Sequence, residues 1–370
     1  MVKELVRELD ADVVEQDLGE PFLSSHSYRP YQLSSDHFKE IHKTNSDGKL
    51  AFIDGGNQEL VGAPNFSIQL NRVYFNTFQK GKIILPSKLP NRIEFFSVTV
   101  AKFKHGEIFY DTSLFPEQSE LRDLLPSSAD LSFNSSDRSL MVGNSRANIG
   151  RVASIARRFA EWHYARQVVE KELESRDMLV MDGTLRSVFL NESKYANLAF
   201  SIAKDKRVAY TGLSKTSRLF TTTGLSLLGA VRRLAMNTGV GPVWYYHPVA
   251  DSLSPEHQGE IFLVKLSDQS ERVFKFEILA DQARRLEQTE LNGILNALAL
   301  NSNDLSFPGY PYGLIDADDN ARVRFEELEA YRVMLLSEIS KLGSAPKFMR
   351  YMQATDAHAT LNSLREVSYA

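Results

Sequence analysis

The chain has 370 residues, 43% hydrophobic and 24% charged, a balance typical of globular proteins with one large domain or two modest ones. It contains no cysteine, which excludes disulfides, thiolate zinc sites, iron–sulfur clusters and a catalytic thiol. The formal net charge of -4 argues against a protein that coats nucleic acid by bulk electrostatics, although carboxylates that hold cations can coexist with a local basic groove.

The first segment, 1–48, is predicted to be a helical and polar extension. The spacing of the apolar residues predicts an amphipathic helix with one face formed by Leu5, Val6, Leu9 and Val13. The segment lacks the unbroken apolar core and the small-residue cleavage site of a signal peptide. No run of about 18 apolar residues occurs, so no membrane span is expected. Together with the absence of cysteine, this favours a cytoplasmic location.

Segments with the period of strands come next and open a predicted domain over 49–342. Residues 50–53 predict a buried strand that ends in Asp54 and a glycine turn. Residues 66–78 and 92–103 alternate, which indicates antiparallel strands with one polar face. Residues 111–147 have little periodicity and predict an irregular insertion or flexible loop.

The period becomes helical at Asn148 and remains so to near Arg176. A short apolar strand over 178–181 then ends in Asp182-Gly183. Further strands are predicted at 208–213, 243–247, 259–266 and 272–279, and further helices at 224–236, 282–300 and 321–342. This order is typical of a mixed α/β fold with a sheet covered by helices. Residues 343–370 are predicted to be an appended C-terminal arm.

Two strands leave the core directly into Asp-Gly, at Asp54 and Asp182. An Asp at such a point lies on a rigid element and still reaches solvent. Asp-Gly is also a common turn former, and for a single case that explanation is the more frequent one. Two carboxylates at one sheet edge repel each other unless a cation lies between them, and oxygen ligands suit magnesium or manganese.

Two other places offer further acids. Glu161 lies beside the apolar stripe of the long helix, where it either points along the sheet edge or pairs with Arg157 or Arg158 as a solvated residue. The loop predicted over 308–319 crowds aromatics, prolines and acids ahead of a helix. Asp318 is either a fourth ligand or a helix cap, and Tyr310 either belongs to the site or packs.

Basic residues follow another apolar strand at Lys215 and Arg218, where they could neutralise a phosphate or simply be solvated. The same segment lacks the glycines of a nucleotide-binding P-loop. A surface that tracks a nucleic-acid backbone could use several helix arginines, although each is more often just solvated. These candidates are Arg157, Arg158, Arg166, Arg232, Arg233, Arg284 and Arg285. Tyr310 or Tyr312 could stack on a base.

The order of these motifs resembles the NurA family of nucleases from about residue 50 to 342: a strand into Asp-Gly, a helical Glu, a second strand into Asp-Gly-Thr-Leu, Ser-Lys-Thr-Ser and a late Gly-Tyr-Pro-Tyr. The resemblance implies an RNase H-like core, cleavage of DNA from its ends with Mn²⁺ (Mg²⁺ is also possible), a homodimer around a central channel and a partner that is a HerA-like hexameric ATPase. It also implies that Asp54, Glu161, Asp182 and Asp318 are metal ligands and that Tyr310 is catalytic.

Asp318 departs from the histidine that many members of that family carry at this place. An aspartate still ligates manganese through oxygen, but it adds charge and removes a neutral ligand or proton donor. Three hypotheses therefore stand. The chain is a DNA nuclease acting on single strands and duplex ends, a weakly active binding subunit that caps a translocase and guides DNA, or an unrelated metal phosphatase or phosphodiesterase for small molecules.

Overall fold

The computed structural model describes residues 2–13, 17–23, 27–44, 47–217, 219–343, 346 and 350. Most of the expected C-terminal arm, 343–370, lies outside these residues. None of the described helices combines the length and the apolar character that a membrane span requires.

The described residues form helices and strands that we number in chain order. The helices are α1 (Val2–Val13), α2 (Ile149–Ala153), α3 (Ile155–Lys171), α4 (Glu192–Lys206), α5 (Leu227–Met236), α6 (Ala280–Ala283), α7 (Gln288–Leu300), α8 (Tyr312–Ala321) and α9 (Phe325–Lys341). The strands are β1 (Pro21–Phe22), β2 (Tyr28–Pro30), β3 (Phe38–Glu40), β4 (Leu50–Ala63), β5 (Phe66–Gln79), β6 (Lys82–Ile84), β7 (Arg92–Lys104), β8 (Glu107–Pro116), β9 (Ser132–Asn134), β10 (Met178–Asp182), β11 (Ala209–Ser214), β12 (Phe220–Thr221), β13 (Trp244–Tyr246), β14 (Ala250–Ser252), β15 (Gly259–Lys265) and β16 (Phe274–Leu279).

Most strands join one mixed sheet, in the order β3-β13-β15-β16-β11-β10-β4-β5-β7-β8-β9, with β6 beside β5. The central strands β4, β10 and β11 are parallel, while β5 and β7 continue the sheet antiparallel on one side. The helix α4 makes the crossover that the parallel pair β10 and β11 requires. This topology confirms the mixed α/β class and the RNase H-like core.

Both faces of the central strands are buried, because each face packs against helices. The strand β4 is an example. Its side chains alternate, so that Ala51 and Ile53 join one core with α3 and α4, while Phe52 joins another with α7 and α8. A strand buried on both faces needs no alternation of polar and apolar residues. The strand ends are therefore held between two helical layers.

The prediction of one polar face on the antiparallel strands is wrong for β5, because polar residues on both of its faces are buried. Asn71 donates to Ser97 Oγ at 2.9 Å, and Asn76 donates to Gly313 O at 2.8 Å. Arg72 forms a buried ion pair with Glu94. Helices cover this strand on both sides, so its polar groups are paired inside the protein.

The segment 111–147 is more ordered than predicted. Its first residues complete β8, and β9 adds a short strand beside β8. Leu131, Phe133 and Leu140 are buried in the core beneath α3. Single buried apolar residues, separated by polar turns, fix this segment to the core. Its sequence therefore shows neither the helical nor the strand period of apolar residues.

The N-terminal segment 1–48 also contains more than a helix. The short strand β1 pairs with β12, β2 pairs with β14, and β3 forms an edge of the main sheet. Strands of two or three residues are too short to show a period.

Candidate active site

The first acid, Asp54, lies inside β4 rather than before a turn, so the predicted glycine turn is wrong. The strand continues to Ala63. Both glycines serve close packing. A Cβ on Gly55 would lie 2.9 Å from Glu161 Cγ, and one on Gly56 would lie 3.0 Å from Ala321 C. The two glycines thus let α3 and the end of α8 approach the strand beside Asp54.

The second acid, Asp182, ends β10 as predicted. Ile53 is paired with Met181 across the parallel strands, so Asp54 and Asp182 follow at the same edge of the sheet. Gly183 has φ of +117°, a left-handed conformation that favours glycine. This turn directs the chain away from the sheet immediately after the carboxylate.

The third acid, Asp318, comes from α8. The sequence predicted a loop over 308–319, but a helix begins at Tyr312, and Asp318 lies in its last turn instead of capping the next helix. Leu314, Ala317 and Ala321 form its buried stripe. A Cβ on Gly313 would lie 2.6 Å from Phe52 Cγ and still closer to other ring atoms, so α8 rests directly on β4.

The three aspartates meet at one point. One carboxylate oxygen from each of Asp54, Asp182 and Asp318 lies within 4.8 Å of the others. The Lys215 ammonium lies among them, with Nζ 2.6 Å from Asp182 Oδ2, 2.6 Å from Asp318 Oδ1 and 3.6 Å from Asp54 Oδ2. Gly55 N–H donates to Asp54 Oδ1 at 2.7 Å. The cluster therefore offers hard oxygen ligands around a position now taken by a cationic group.

The electrostatics of this cluster favour added positive charge. Burial and the carboxylates of Asp182 and Glu161 raise the pKa of Asp54 to about 9. Burial favours the neutral amine of Lys215, but Asp182 and Asp318 outweigh it and raise the Lys215 pKa. The single positive charge of Lys215 thus faces several carboxylates, and this set of oxygen donors fits a divalent cation.

Glu161 lies next to this cluster but is turned to another partner. It is buried on α3 and forms an ion pair with Arg157, so the predicted pairing is present but the residue is not solvated. Arg157 also donates to Asn57 Oδ1 at 2.9 Å and to Gly55 O at 3.1 Å. Burial raises the pKa of Glu161, Arg157 and Arg158 lower it in part, and Asp182 raises it further. Glu161 is close enough to act on the aspartates electrostatically.

Tyr310 precedes α8 and is only 2% exposed. Its ring packs against Phe274 and Phe307, with centroids at 5.3 and 5.6 Å. Burial, and after it the carboxylates of Asp182 and Asp54, raise its pKa. Its hydroxyl is buried and has no hydrogen-bond partner among the described residues. A donor without a partner beside an acid cluster points to a ligand or water at that place.

Comparison with known proteins decides the family. The NurA domain matches residues 48–323, about three quarters of the chain. The chain belongs to the NurA family. No curated protein is found to match it.

The NurA chain also shows similarity to solved structures. The NurA nuclease from Sulfolobus solfataricus is 15% identical, with 92% of this chain and 93% of that chain covered and a TM-score of 0.47. Endonuclease V from Ciona intestinalis, in complex with a 24mer DNA, is 9% identical, with 77% and 87% covered and a TM-score of 0.35. The catalytic domain of human Endonuclease V is 10% identical, with 84% and 93% covered and a TM-score of 0.32.

The residues predicted to bind nucleic acid lie on several different elements. Lys215 lies in the acid cluster, and Arg218 lies outside the described residues. Arg158 is held by Glu192 and donates to Arg186 O at 2.6 Å. Tyr312 is 40% exposed and contacts Phe78 at a centroid distance of 6.0 Å. Arg166 and Arg232 are paired with Glu170 and Glu271. Arg166, Arg232 and Tyr312 lie on three different helices, α3, α5 and α8.

One residue beside the site, Glu277, is not indicated by any pattern in the sequence. Glu277 on β16 is fully buried, and its Oε2 accepts from Leu185 N at 2.7 Å, just after the Asp182 turn. Its Oε1 lies 2.6 Å from Lys275 Nζ and 3.1 Å from His257 Nε2. Glu277 therefore anchors the segment that leaves Asp182. Only the sheet order brings these residues together.

Proposed function

We propose that this NurA protein is a metal-dependent deoxyribonuclease that uses Mn²⁺, or Mg²⁺, on single strands and duplex ends. Further parts of the proposal are that it is a cytoplasmic homodimer and acts with a HerA-like hexameric ATPase in DNA end resection, repair or defence. The observation that carries the nuclease proposal is the meeting of Asp54, Asp182 and Asp318 within 4.8 Å at the sheet edge. Family membership supports it.

Asp54, Asp182 and Asp318 are the proposed ligands, and Glu161 joins them if it leaves Arg157. Bound divalent cations would supply an activated water and stabilise the leaving oxygen of a phosphodiester. Lys215 then has a second role, since its ammonium, no longer needed by the carboxylates, is free to neutralise a phosphate oxygen. Tyr310 offers a hydroxyl donor that is already desolvated.

A second candidate is a binding subunit of low activity that caps a translocase and guides DNA. It is favoured by the neutralisation of Asp318, which lies 2.6 Å from Lys215 and 2.8 Å from Arg322. In this case Lys215 acts as a permanent counterion, and the cluster has a structural role.

The test is cleavage of end-labelled single-stranded and duplex DNA by the purified protein with Mn²⁺, Mg²⁺ or chelator. Asp54→Asn and Asp318→Asn remove ligands, and Asp319→Asn is the matched control because Asp319 lies on the same helix but is 63% exposed and outside the cluster. Metal-dependent cleavage lost only with the cluster variants supports the nuclease. DNA binding in calcium without cleavage under any condition, with or without a HerA-like partner and ATP, supports the binding subunit.

A further inference from the structure

A cavity lies at the opposite end of the central strands from the acid cluster. It has a volume of about 700 Å³ and begins at Leu50 and Met178, the first residues of β4 and β10. Each of those strands reaches its aspartate four residues later, roughly 13 Å away at 3.3 Å per residue. We call it the basic cavity, and it is separate from the candidate active site.

The charges of the basic cavity do not balance internally. Its lining has five basic residues, Lys49, Arg176, Lys204, Arg207 and Arg285, against three acidic ones, Asp177, Asp281 and Glu290. Lys204 pairs with Asp281 at 3.2 Å. Asp177 accepts from Lys49 N at 2.7 Å, and Glu290 accepts from Glu287 N at 3.0 Å. Arg176, Arg207 and Arg285 therefore have no acidic partner among the described residues.

Two of these arginines occupy backbone positions that an arginine disfavours. Arg176 has φ of +75° and Arg207 has φ of +56°, and a left-handed conformation costs an L side chain energy that glycine avoids. Arg176 N–H donates to Arg207 O at 3.1 Å, which brings the two residues side by side. A Cβ on Gly48 would lie 2.6 Å from Arg176 O, so that glycine makes room for the pair. Arg207 is the C-cap of α4, and its N–H donates to Ala203 O and Lys204 O, so the end of the helix fixes its position at the cavity.

One part of the wall of the basic cavity is apolar. Leu50, Leu286 and Ile294 are partly exposed there beside buried Met178 and Ile278. The volume lies within the range of small-molecule sites. Guanidinium groups match phosphate oxygens bidentately, and an apolar wall suits a planar ring. We propose that the basic cavity binds a free nucleoside monophosphate, with its phosphate on Arg176, Arg207 and Arg285 and its base on the apolar wall.

The test is isothermal titration of the full chain with dAMP, deoxyadenosine and inorganic phosphate in EDTA, which keeps metal from the acid cluster. The informative variants are Arg176→Gly and Arg207→Gly, since glycine removes the guanidinium and relieves the left-handed backbone together. Lys80→Gly is the matched control, because Lys80 is a cation with φ of +53° outside the cavity. Urea unfolding midpoints of all three variants are expected to be unchanged or raised.

We expect saturable binding of dAMP that weakens about ten-fold or more in each arginine variant and is unchanged in the Lys80 variant. Equal affinity of all variants, or no binding at millimolar dAMP, overturns the proposal. Inorganic phosphate binding as tightly as dAMP shows that no base is recognised and overturns the nucleotide assignment. Tighter binding of a 5′-phosphorylated oligonucleotide, with the same dependence on arginine, overturns the assignment to a free nucleotide.

Discussion

The contact of α8 with β4 makes a sharp prediction at Gly313. In Gly313→Ala, the new methyl group enters the space of the Phe52 ring, which is fully buried. Overpacking of this kind costs about 1–3 kcal/mol, and the gain in helix propensity near a helix start offsets only part of it. We expect a net loss of about 2 kcal/mol in the free energy of unfolding. DNA cleavage should fall as well, because α8 carries Asp318.

Gly293→Ala in α7 is the control with the opposite sign. A Cβ there meets no atom within 4 Å, so alanine should stabilise the helix by about 0.5–1 kcal/mol. Urea unfolding, followed by circular dichroism, compares both variants with the wild type. If Gly313→Ala is as stable as Gly293→Ala, α8 does not rest on Phe52, and the packing that brings Asp318 to the cluster is refuted.

Three further predictions concern the site. In Lys215→Ala, Mn²⁺ binding measured by electron paramagnetic resonance should tighten about ten-fold because a competing cation is gone, while cleavage falls; weaker Mn²⁺ binding would contradict the position of Lys215. In Gly55→Ala, the methyl displaces Glu161, and cleavage should drop at least ten-fold if Glu161 belongs to the site. Burial opposes ionisation of Glu277, but Lys275 and His257 lower its pKa to about 2. The ionised Glu277 therefore contributes up to about 3 kcal/mol to the free energy of unfolding above pH 4.5, and this contribution is lost as the pH falls towards 2. The difference in stability between wild type and Glu277→Gln should shrink over that range. A difference that stays constant would contradict the prediction.

The positions of Asp54 and Asp182 at the sheet edge can be predicted from the sequence, because a short apolar run that ends in Asp is a local pattern. The same pattern misleads at Gly55 and Gly56, which look like a turn and instead provide space for α3 and α8. That use depends on elements more than 100 residues away in the chain. The sequence predicts that Lys215 either neutralises a phosphate or is solvated. Its place among the carboxylates follows from the pairing of β10 with β11 and from the packing of α8, which no local signal shows.

The buried polar partners are the part that sequence patterns miss. Glu277 reads as one acid in an apolar strand, and its role beside Leu185 depends on the neighbours of β16 in the sheet. Arg157 and Glu161 are spaced as a helix-surface pair, yet they are largely enclosed because β4 has glycines where a side chain would exclude them. Spacing predicts the pair, and tertiary packing determines whether it is solvated.

The acid cluster is assembled from distant parts of the chain, and this has a consequence for its synthesis. Asp54 and Asp182 are made before Asp318, which follows Asp54 by 264 residues (318 minus 54) and comes from α8. A growing polypeptide therefore holds two of the acids, together with Glu161 and Lys215, before the third exists. Translation itself delays completion of the cluster until α8 has been made.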